Sequence, residues 1–252
     1  VVSVMWVNNE IGTIQPIKEI ARASSAVGAF VHTDATQAPA ALNIDVAELG
    51  VDAASFSSHK IYGPKGIGAL YVSAAAPWRP KPLMFGGGQE EGLRPGTLPT
   101  FLCAGFAEAF SIISAEDELV RARTEALRNQ LAEALKNRLS EVRETALGTP
   151  KHPGNLHIRF EGVDAYDLLF RLQPYVAAST GSACTSGQIQ ESHVLKALGM
   201  SPQEAAQGVR LSVGRFSTPN EIAHAATLIA SVVEDIRGVE GYDNTNLRAA
   251  AY

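Results

Sequence analysis

Short runs of β-branched and other apolar residues, each followed by polar residues, constrain this chain more than any other feature. The runs are Val1–Val7, Ala29–Asp34, Val51–Ser57 and Ile67–Ser73. A helical pattern that begins at Pro16 separates the first two runs. Strands joined by helical or loop crossovers predict an α/β fold, in which a mostly parallel sheet carries helices on both faces.

In such a sheet, ligands bind at the carboxyl ends of the strands. The polar residues that directly follow the predicted strands are therefore the first candidates for a functional site. They are Asn8-Asn9, Asp34-Ala35-Thr36-Gln37 and Ser57-Ser58-His59-Lys60.

From about Val142 the pattern changes to strands that alternate with shorter helices. The predicted strands are Asn155–Phe160, Tyr175–Ser179 and Gly208–Val213. This mixture predicts a smaller α+β domain. We therefore predict a large domain with its linker helix over 1–140, a small domain over 141–240, and a flexible tail over 241–252.

Composition excludes several classes of protein. The chain has 252 residues, of which 46% are hydrophobic and 19% are charged, so it is not a disordered chain. A net charge of −5 lacks the strongly basic character of nucleic-acid-binding proteins. No apolar run approaches the about 20 residues that a membrane-spanning helix needs, so we expect no membrane partner.

The two cysteines, Cys103 and Cys184, are too few for a zinc module or a disulfide scaffold. They suit a reducing compartment, and we predict a cytoplasmic protein. The histidines have no metal-ligand spacing, so we expect no metal site and interpret them as surface or packing residues: His152, His157, His193 and His224.

The chain begins within a predicted strand, Val1–Val7, without an initiator methionine. A strand of a parallel sheet needs neighbours on both sides, and domains seldom begin inside one. We therefore expect that an N-terminal part precedes Val1. The alternative is an edge strand that begins the domain.

Lys60 is the first candidate catalytic residue. It lies between a predicted buried strand and the turn Gly63-Pro64. Partial burial there would lower its pKa and favour the amine as a Schiff-base nucleophile. The alternative is a surface lysine in a loop.

Asp34 ends the neighbouring strand, where a carboxylate needs a partner if it is buried. Enzymes that use pyridoxal 5'-phosphate (PLP) pair a lysine Schiff base with an acidic group at the pyridine nitrogen. Gln37 could then reach the ring hydroxyl, and Ser57, Ser58 and His59 could bind the phosphate. The alternative is that Asp34 caps the following helix.

Cys184 lies in a loop of small and polar residues, Ser179–Gly187, where a thiol could move toward a site and back. Its thiolate would be the reactive form. Cys103 lies in an apolar helical pattern and is predicted to belong to the core.

Arg210 lies inside a short predicted strand, where an arginine needs a partner. A substrate carboxylate would fit its planar guanidinium, and an internal salt bridge is the alternative. Arg215 is a second candidate for the same role.

Together these residues resemble the cysteine desulfurases of the NifS/IscS group, within the class V aminotransferases and the fold-type I PLP enzymes. The matching motifs follow the family order along most of the chain. They are Val7-Asn8-Asn9-Glu10-Ile11-Gly12, His32-Thr33-Asp34-Ala35-Thr36-Gln37, Ser55–Gly66, Gly86-Gly87-Gly88-Gln89-Glu90 and Gly181–Gly187.

The resemblance implies a role for each matching residue. Lys60 would hold PLP through a Schiff base, Asp34 would pair with its pyridine nitrogen, and Gln37 and Asn9 would contact the ring. Ser57 and His59 would hold the phosphate, and Thr97 would reach the phosphate in the partner subunit. Arg210 and Asn9 would bind the substrate, and Cys184 would attack its sulfur and become a persulfide.

The implied activity is conversion of L-cysteine to L-alanine, with transfer of sulfur to an acceptor or cluster-scaffold protein for iron–sulfur assembly or thiolation. The resemblance also implies a homodimer and a further N-terminal third ahead of Val1. Glu91 and Pro95 depart from the Arg and Ser usual in the partner-subunit loop. The alternatives are another class V PLP enzyme, such as a selenocysteine lyase or an aminotransferase, and a truncated, inactive interaction module.

Overall fold

The computed structural model describes residues 1–115, 118–181 and 192–238. The chain divides into two compact units. The first contains Val1–Asn8 and the described residues from Ile14 to Ala115, and the second contains Asn9–Thr13 and the described residues from Glu118 onward.

The first unit has a four-stranded sheet whose strands follow the order β1-β2-β3-β4. β1, β2 and β3 are parallel, and β4 is antiparallel to β3. The mostly parallel α/β prediction is thus confirmed. The connection from β3 to β4 is shorter than the dozen or so residues of a parallel crossover, which explains the reversal. The strands are β1 (Val2–Met5), β2 (Val31–Asp34), β3 (Ala53–Ser57) and β4 (Gly68–Val72).

Helices of this unit pack on one face of the sheet. Ile17 and Ala21 are buried in one apolar cluster with Val31 of β2. Phe110 meets Phe56 of β3 edge-on, with the ring centroids 6.0 Å apart. The helices are α1 (Ile17–Ser25), α2 (Val46–Leu49) and α3 (Thr100–Ala115).

The other face of this sheet is polar and more exposed. Across it, Ser3 Oγ lies 2.8 Å from His32 Nδ1, and His32 Nε2 lies 3.2 Å from Ser55 Oγ. Leu70 of β4 is 49% exposed on the same face. Most of the described residues on this face are therefore less covered than those on the face against the helices, although Ala53 is buried.

The second unit has an antiparallel sheet in the order β5-β6-β8-β7. Its α+β character matches the prediction for the C-terminal region. The strands are β5 (Val142–Glu144), β6 (Asn155–Phe160), β7 (Ser179–Thr180) and β8 (Gly208–Ser212). The helices are α4 (Glu118–Arg138), α5 (Ala165–Leu172), α6 (His193–Ala197), α7 (Pro202–Ala205) and α8 (Pro219–Ile236).

The core of the second unit lies between one face of this sheet and the helices. Leu135, Leu156, Phe160 and Val233 are fully buried in one cluster. Each such side chain contributes roughly 1.5–3 kcal/mol through its removal from water. Since Leu135 belongs to α4, this helix is part of the second unit, whereas the sequence assigned it to the linker end of the first domain.

Two predictions about local structure need correction. Of the predicted strand Tyr175–Ser179, only Ser179 belongs to a strand, β7. Tyr175 lies in the turn after α5, where the amides of Tyr175 and Val176 both donate to the Leu172 carbonyl, at 2.9 and 3.0 Å, and residues 176–178 have no regular secondary structure. Cys103 is half-buried and not in a core, because α3 buries only Ile113 fully.

Among the described helices, none is long and apolar enough to cross a membrane. The described residues also contain no cluster of three His, Cys, Asp or Glu side chains suited to a metal ion.

Candidate active site

The carboxyl edge of the first sheet collects most of the predicted cofactor residues. β2 ends at Asp34, and β3 ends at Ser57. The two strands are parallel, with Asp34 opposite Ser55, so both ends lie at the same edge. Ser57 is followed at once by a short 3-10 turn over Ser58–Ile61, which carries His59 and Lys60.

Asp34 is half-buried, and its Oδ1 accepts a hydrogen bond of 2.9 Å from the amide of Thr36. The residues after β2 form turns, so the alternative of a helix cap is wrong. The bond to Thr36 fixes the carboxylate, while no described residue donates to Oδ2. A second, cationic donor can therefore be accommodated. Gln37 lies in the same turn and is also half-buried.

Ser57 and His59 form a pair of neighbouring polar groups. Ser57 Oγ lies 2.8 Å from His59 Nδ1. Ser57 is half-buried and His59 is exposed. Whichever of these two atoms carries the shared hydrogen, one further O–H or N–H donor remains at the edge. This donor set suits a phosphate group.

Lys60 lies between two buried anchors of the 3-10 turn, Ser58 and Ile61. Gly63 donates its amide to the Ser58 carbonyl at 3.0 Å, and a Cβ at Gly63 would overlap the Ser58 side chain. The turn is thus held in place, but Lys60 itself is exposed. The expected partial burial of Lys60 is not observed, because only Ser58 and Ile61 of this turn face the interior.

Thr97 lies in an exposed loop of the first unit. The loop is held by Gln89 Oε1, which accepts from the Gly96 amide at 3.1 Å. Arg94 Nη1 adds bonds to the carbonyls of Pro95 and Gly96, at 3.1 and 3.2 Å. The role of Thr97 toward a partner subunit stays a prediction.

The predicted substrate residues Asn9 and Arg210 lie together in the second unit. Arg210 on β8 is half-buried, and its Nη1 donates to the Asn9 carbonyl at 2.8 Å. Among the described residues, no carboxylate forms an ion pair with Arg210, so the structure does not support an internal salt bridge. The guanidinium keeps further N–H donors that a substrate carboxylate could use.

The segment that carries Asn9 is fixed by its backbone. Asn155 Nδ2 donates to the Glu10 carbonyl at 3.2 Å, and the amide of His152 donates to the Gly12 carbonyl at 2.8 Å. Gly12 has φ +78°, and a Cβ there would lie 2.9 Å from Asn155. Glycine is therefore required at this position.

His157, interpreted from the sequence as a surface or packing residue, is a buried polar group opposite Arg210 on the sheet. His157 is 1% exposed, and its Nδ1 lies 2.8 Å from Thr145 Oγ1. Burial, with Arg159, Arg210 and Lys151 nearby, lowers the pKa of His157 to about 4. The alternation along β6 places it opposite the apolar face, but no sequence signal showed that the polar face is buried too.

Cys184 lies outside the described residues, and its role stays a prediction. The structure brings Asp34, Ser57, His59 and Lys60 to one edge in the first unit. It brings Asn9 and Arg210 together in the second.

The chain is similar to known proteins over most of its length. A family profile, "Aminotransferase class-V", matches residues 1–224. A curated relative, "Cysteine desulfurase IscS" of Rickettsia akari, is 42% identical over 94% of this chain and 57% of its own length. The yeast protein "Cysteine desulfurase, mitochondrial" is 44% identical over 94% of this chain and 47% of its own length.

Among solved structures, the NifS-like protein from Rickettsia africae is similar, with a TM-score of 0.83 and 28% identity. The alignment covers 94% of this chain and 61% of that protein. The chain thus spans a little over half the length of the first curated relatives that it matches. Because the family profile matches most of its residues, the chain belongs to the class V aminotransferase family.

Proposed function

We propose that this chain carries the lysine, the carboxylate and the thiol of a PLP-dependent cysteine desulfurase, which converts L-cysteine to L-alanine and transfers the sulfur. The observation that supports the proposal most is the carboxyl edge of the first sheet. There the ends of two parallel strands bring a carboxylate, a hydroxyl–imidazole pair and an amine together.

The chemistry of these groups fits PLP. Asp34 offers a fixed carboxylate for the protonated pyridine nitrogen, while Ser57 and His59 offer donors for the phosphate. Lys60 supplies an accessible amine for the aldehyde. When bound, PLP supplies an electron sink that weakens the bonds at the substrate Cα and Cβ. Gln37 and Asn9 are the further residues proposed to contact the ring.

The chain's own residues then bind the substrate and exchange sulfur. Arg210, steadied by the Asn9 carbonyl, would hold the carboxylate of L-cysteine. The Cys184 thiolate would attack the substrate sulfur, so that an S–S bond forms on Cys184 as the C–S bond of the substrate breaks. Alanine then leaves, and the persulfide passes its sulfur to an acceptor.

The partners and location are part of the same proposal. The two curated relatives are named cysteine desulfurases. One similar solved structure, 34% identical with a TM-score of 0.69, is titled "SspA in complex with cysteine". We propose a sulfur-acceptor or cluster-scaffold protein as partner, a homodimer to which Thr97 contributes, and the cytoplasm as location.

Borohydride reduction of the protein with added PLP, followed by peptide mass mapping, tests the cofactor site. We expect a pyridoxyl adduct on Lys60 and its loss in Lys60→Ala. Lys65→Ala is the matched control, because Lys65 is an exposed lysine of the same motif. Labelling of both lysines alike would contradict the assignment. No adduct at all would favour the inactive interaction module.

Sulfide release from L-cysteine tests the role of Cys184. Cys184→Ala should abolish release while PLP remains bound, and Cys103→Ala should retain activity as the matched control. Full turnover in Cys184→Ala would contradict the proposal. A strong preference for selenocysteine over cysteine would instead favour a selenocysteine lyase.

A further inference from the structure

The imidazole of His157 is a buried titratable group that the proposed mechanism does not use. β6 and β8 pair antiparallel with His157 directly opposite Arg210. Directly opposed residues in such a pair lie on the same face, with Cβ atoms roughly 4.5–5.5 Å apart. His157 is therefore a cross-strand neighbour of the arginine proposed to bind the substrate.

The His157 ring is held in one place. Its Nδ1 lies 2.8 Å from the hydroxyl of Thr145, which is itself 4% exposed. Its other edge occupies the space beside Gly208, where a Cβ would lie 2.8 Å from Cε1 and 3.0 Å from Nε2. A glycine on β8 thus makes room for the ring, which lies on the same face of the sheet as Arg210.

An ordered neighbour matters for Arg210, because a free arginine side chain has many rotamers to lose on ordering. At its end, Nη1 donates to the Asn9 carbonyl at 2.8 Å. The tip of the Arg210 side chain is thus held by a carbonyl, and His157 is its directly opposed neighbour across the strands.

Charge supports the same arrangement. His157 faces three cations, Arg159, Arg210 and Lys151, and its pKa is lowered to about 4, chiefly by burial. The ring is therefore uncharged at neutral pH. An uncharged ring neither repels the Arg210 guanidinium nor pairs with it as a carboxylate would.

We propose that His157 is a positioning residue that holds the Arg210 guanidinium against the Asn9 carbonyl. The contribution to substrate binding rests on the function proposed above. The confinement of Arg210 does not, since it is a property of the unliganded chain.

Side-chain NMR of the chain labelled with ¹⁵N-arginine measures this confinement directly. The Arg210 signal is identified by its loss in Arg210→Lys. We expect rotation about its Cζ–Nη bonds to be about tenfold slower than for the exposed Arg79. The reason is that rotation must break the charged hydrogen bond to Asn9, and one such bond is strong enough to slow it by about this factor. His157→Ala should accelerate rotation to the Arg79 rate, and Gly208→Ala should do the same by displacing the ring.

Leu211→Ala is the matched control, since Leu211 adjoins Arg210 on β8 but is buried on the opposite face. It should lower stability and leave Arg210 rotation slow. Rapid rotation in the unchanged protein would overturn the proposal, as would slow rotation in both His157→Ala and Gly208→Ala. If Lys60 takes no PLP but His157→Ala still releases Arg210, the proposed function fails and the positioning role stands.

Discussion

The polar faces of the two sheets differ in cover. On the first sheet, Ser3 is exposed and His32 and Ser55 are half-buried, although they form a hydrogen-bonded row. On the second sheet, Asn155 and His157 are 8% and 1% exposed. Polar side chains on the more exposed face of the first sheet remain available to a ligand. Those on the covered face of the second sheet must be neutral or have a hydrogen-bond or charged partner. The first sheet therefore presents accessible polar groups, whereas the second holds polar side chains in buried positions.

The largest expected difference between the units concerns their ion pairs. The side chain of Glu144 is 5% exposed, and its carboxylate lies 2.9, 3.2 and 3.5 Å from Lys151, Lys136 and Arg128. Burial alone would raise the pKa of Glu144, but Lys151 and Lys136 outweigh it and lower the pKa. We expect Glu144→Gln to lower the free energy of unfolding by about 3–5 kcal/mol, because three cations lose their buried partner.

The matched variant in the first unit is Glu48→Gln, which breaks an exposed pair of 2.6 Å with Lys18. It should cost about 0–1 kcal/mol. Urea denaturation of both variants measures the contrast. Equal losses would mean that burial does not separate the two units.

A smaller effect is expected on lowering the pH. The pKa of His157 is about 4 in the folded chain, against about 6.5 when unfolded. The free energy of unfolding is therefore unaffected by protonation of His157 above pH 6.5. It decreases as the pH falls from 6.5 toward 4, because His157 of the unfolded chain takes up a proton in this range and His157 of the folded chain does not. The loss amounts to at most about 3 kcal/mol.

Urea denaturation at pH 7.5 and 4.5 should show a smaller loss for His157→Gln than for the unchanged chain. A part should remain, since burial and Arg128 also lower the pKa of His152 to about 4. An identical loss in the variant would refute the contribution of His157.

The smallest expected effect concerns helix ends. α8 begins with a capping box, in which Thr218 Oγ1 accepts from the Glu221 amide and the Glu221 side chain accepts from the Thr218 amide. By contrast, α1 follows Pro16, which provides no side-chain cap. Thr218→Ala should lower the melting temperature in line with a loss of about 1 kcal/mol, and Thr218→Ser should restore most of it. A full loss in Thr218→Ser would assign the effect to the methyl group instead.

Much of the first unit followed from local pattern. Each strand there lies within a run that the sequence marked, and Asp34, Ser57 and Lys60 lie at or just beyond the strand ends where ligand residues were expected. The strand predicted over Tyr175–Ser179 is wrong at its start, because the amides of Tyr175 and Val176 bond to the Leu172 carbonyl, and a strand begins only at Ser179. The alternation of apolar and polar residues in the sequence does not predict such backbone hydrogen bonds.

The sequence by itself determined the strand–helix alternation, the family and the candidate residues at the sheet edge, since these depend on short-range pattern and motif. Only the tertiary structure decided that α4 packs within the second unit and that the polar face around His157 is buried. It also decided that Arg210 is held by the carbonyl of Asn9, 201 residues away along the chain. Burial and hydrogen-bond partners arise from contacts between distant segments, which a local pattern does not encode.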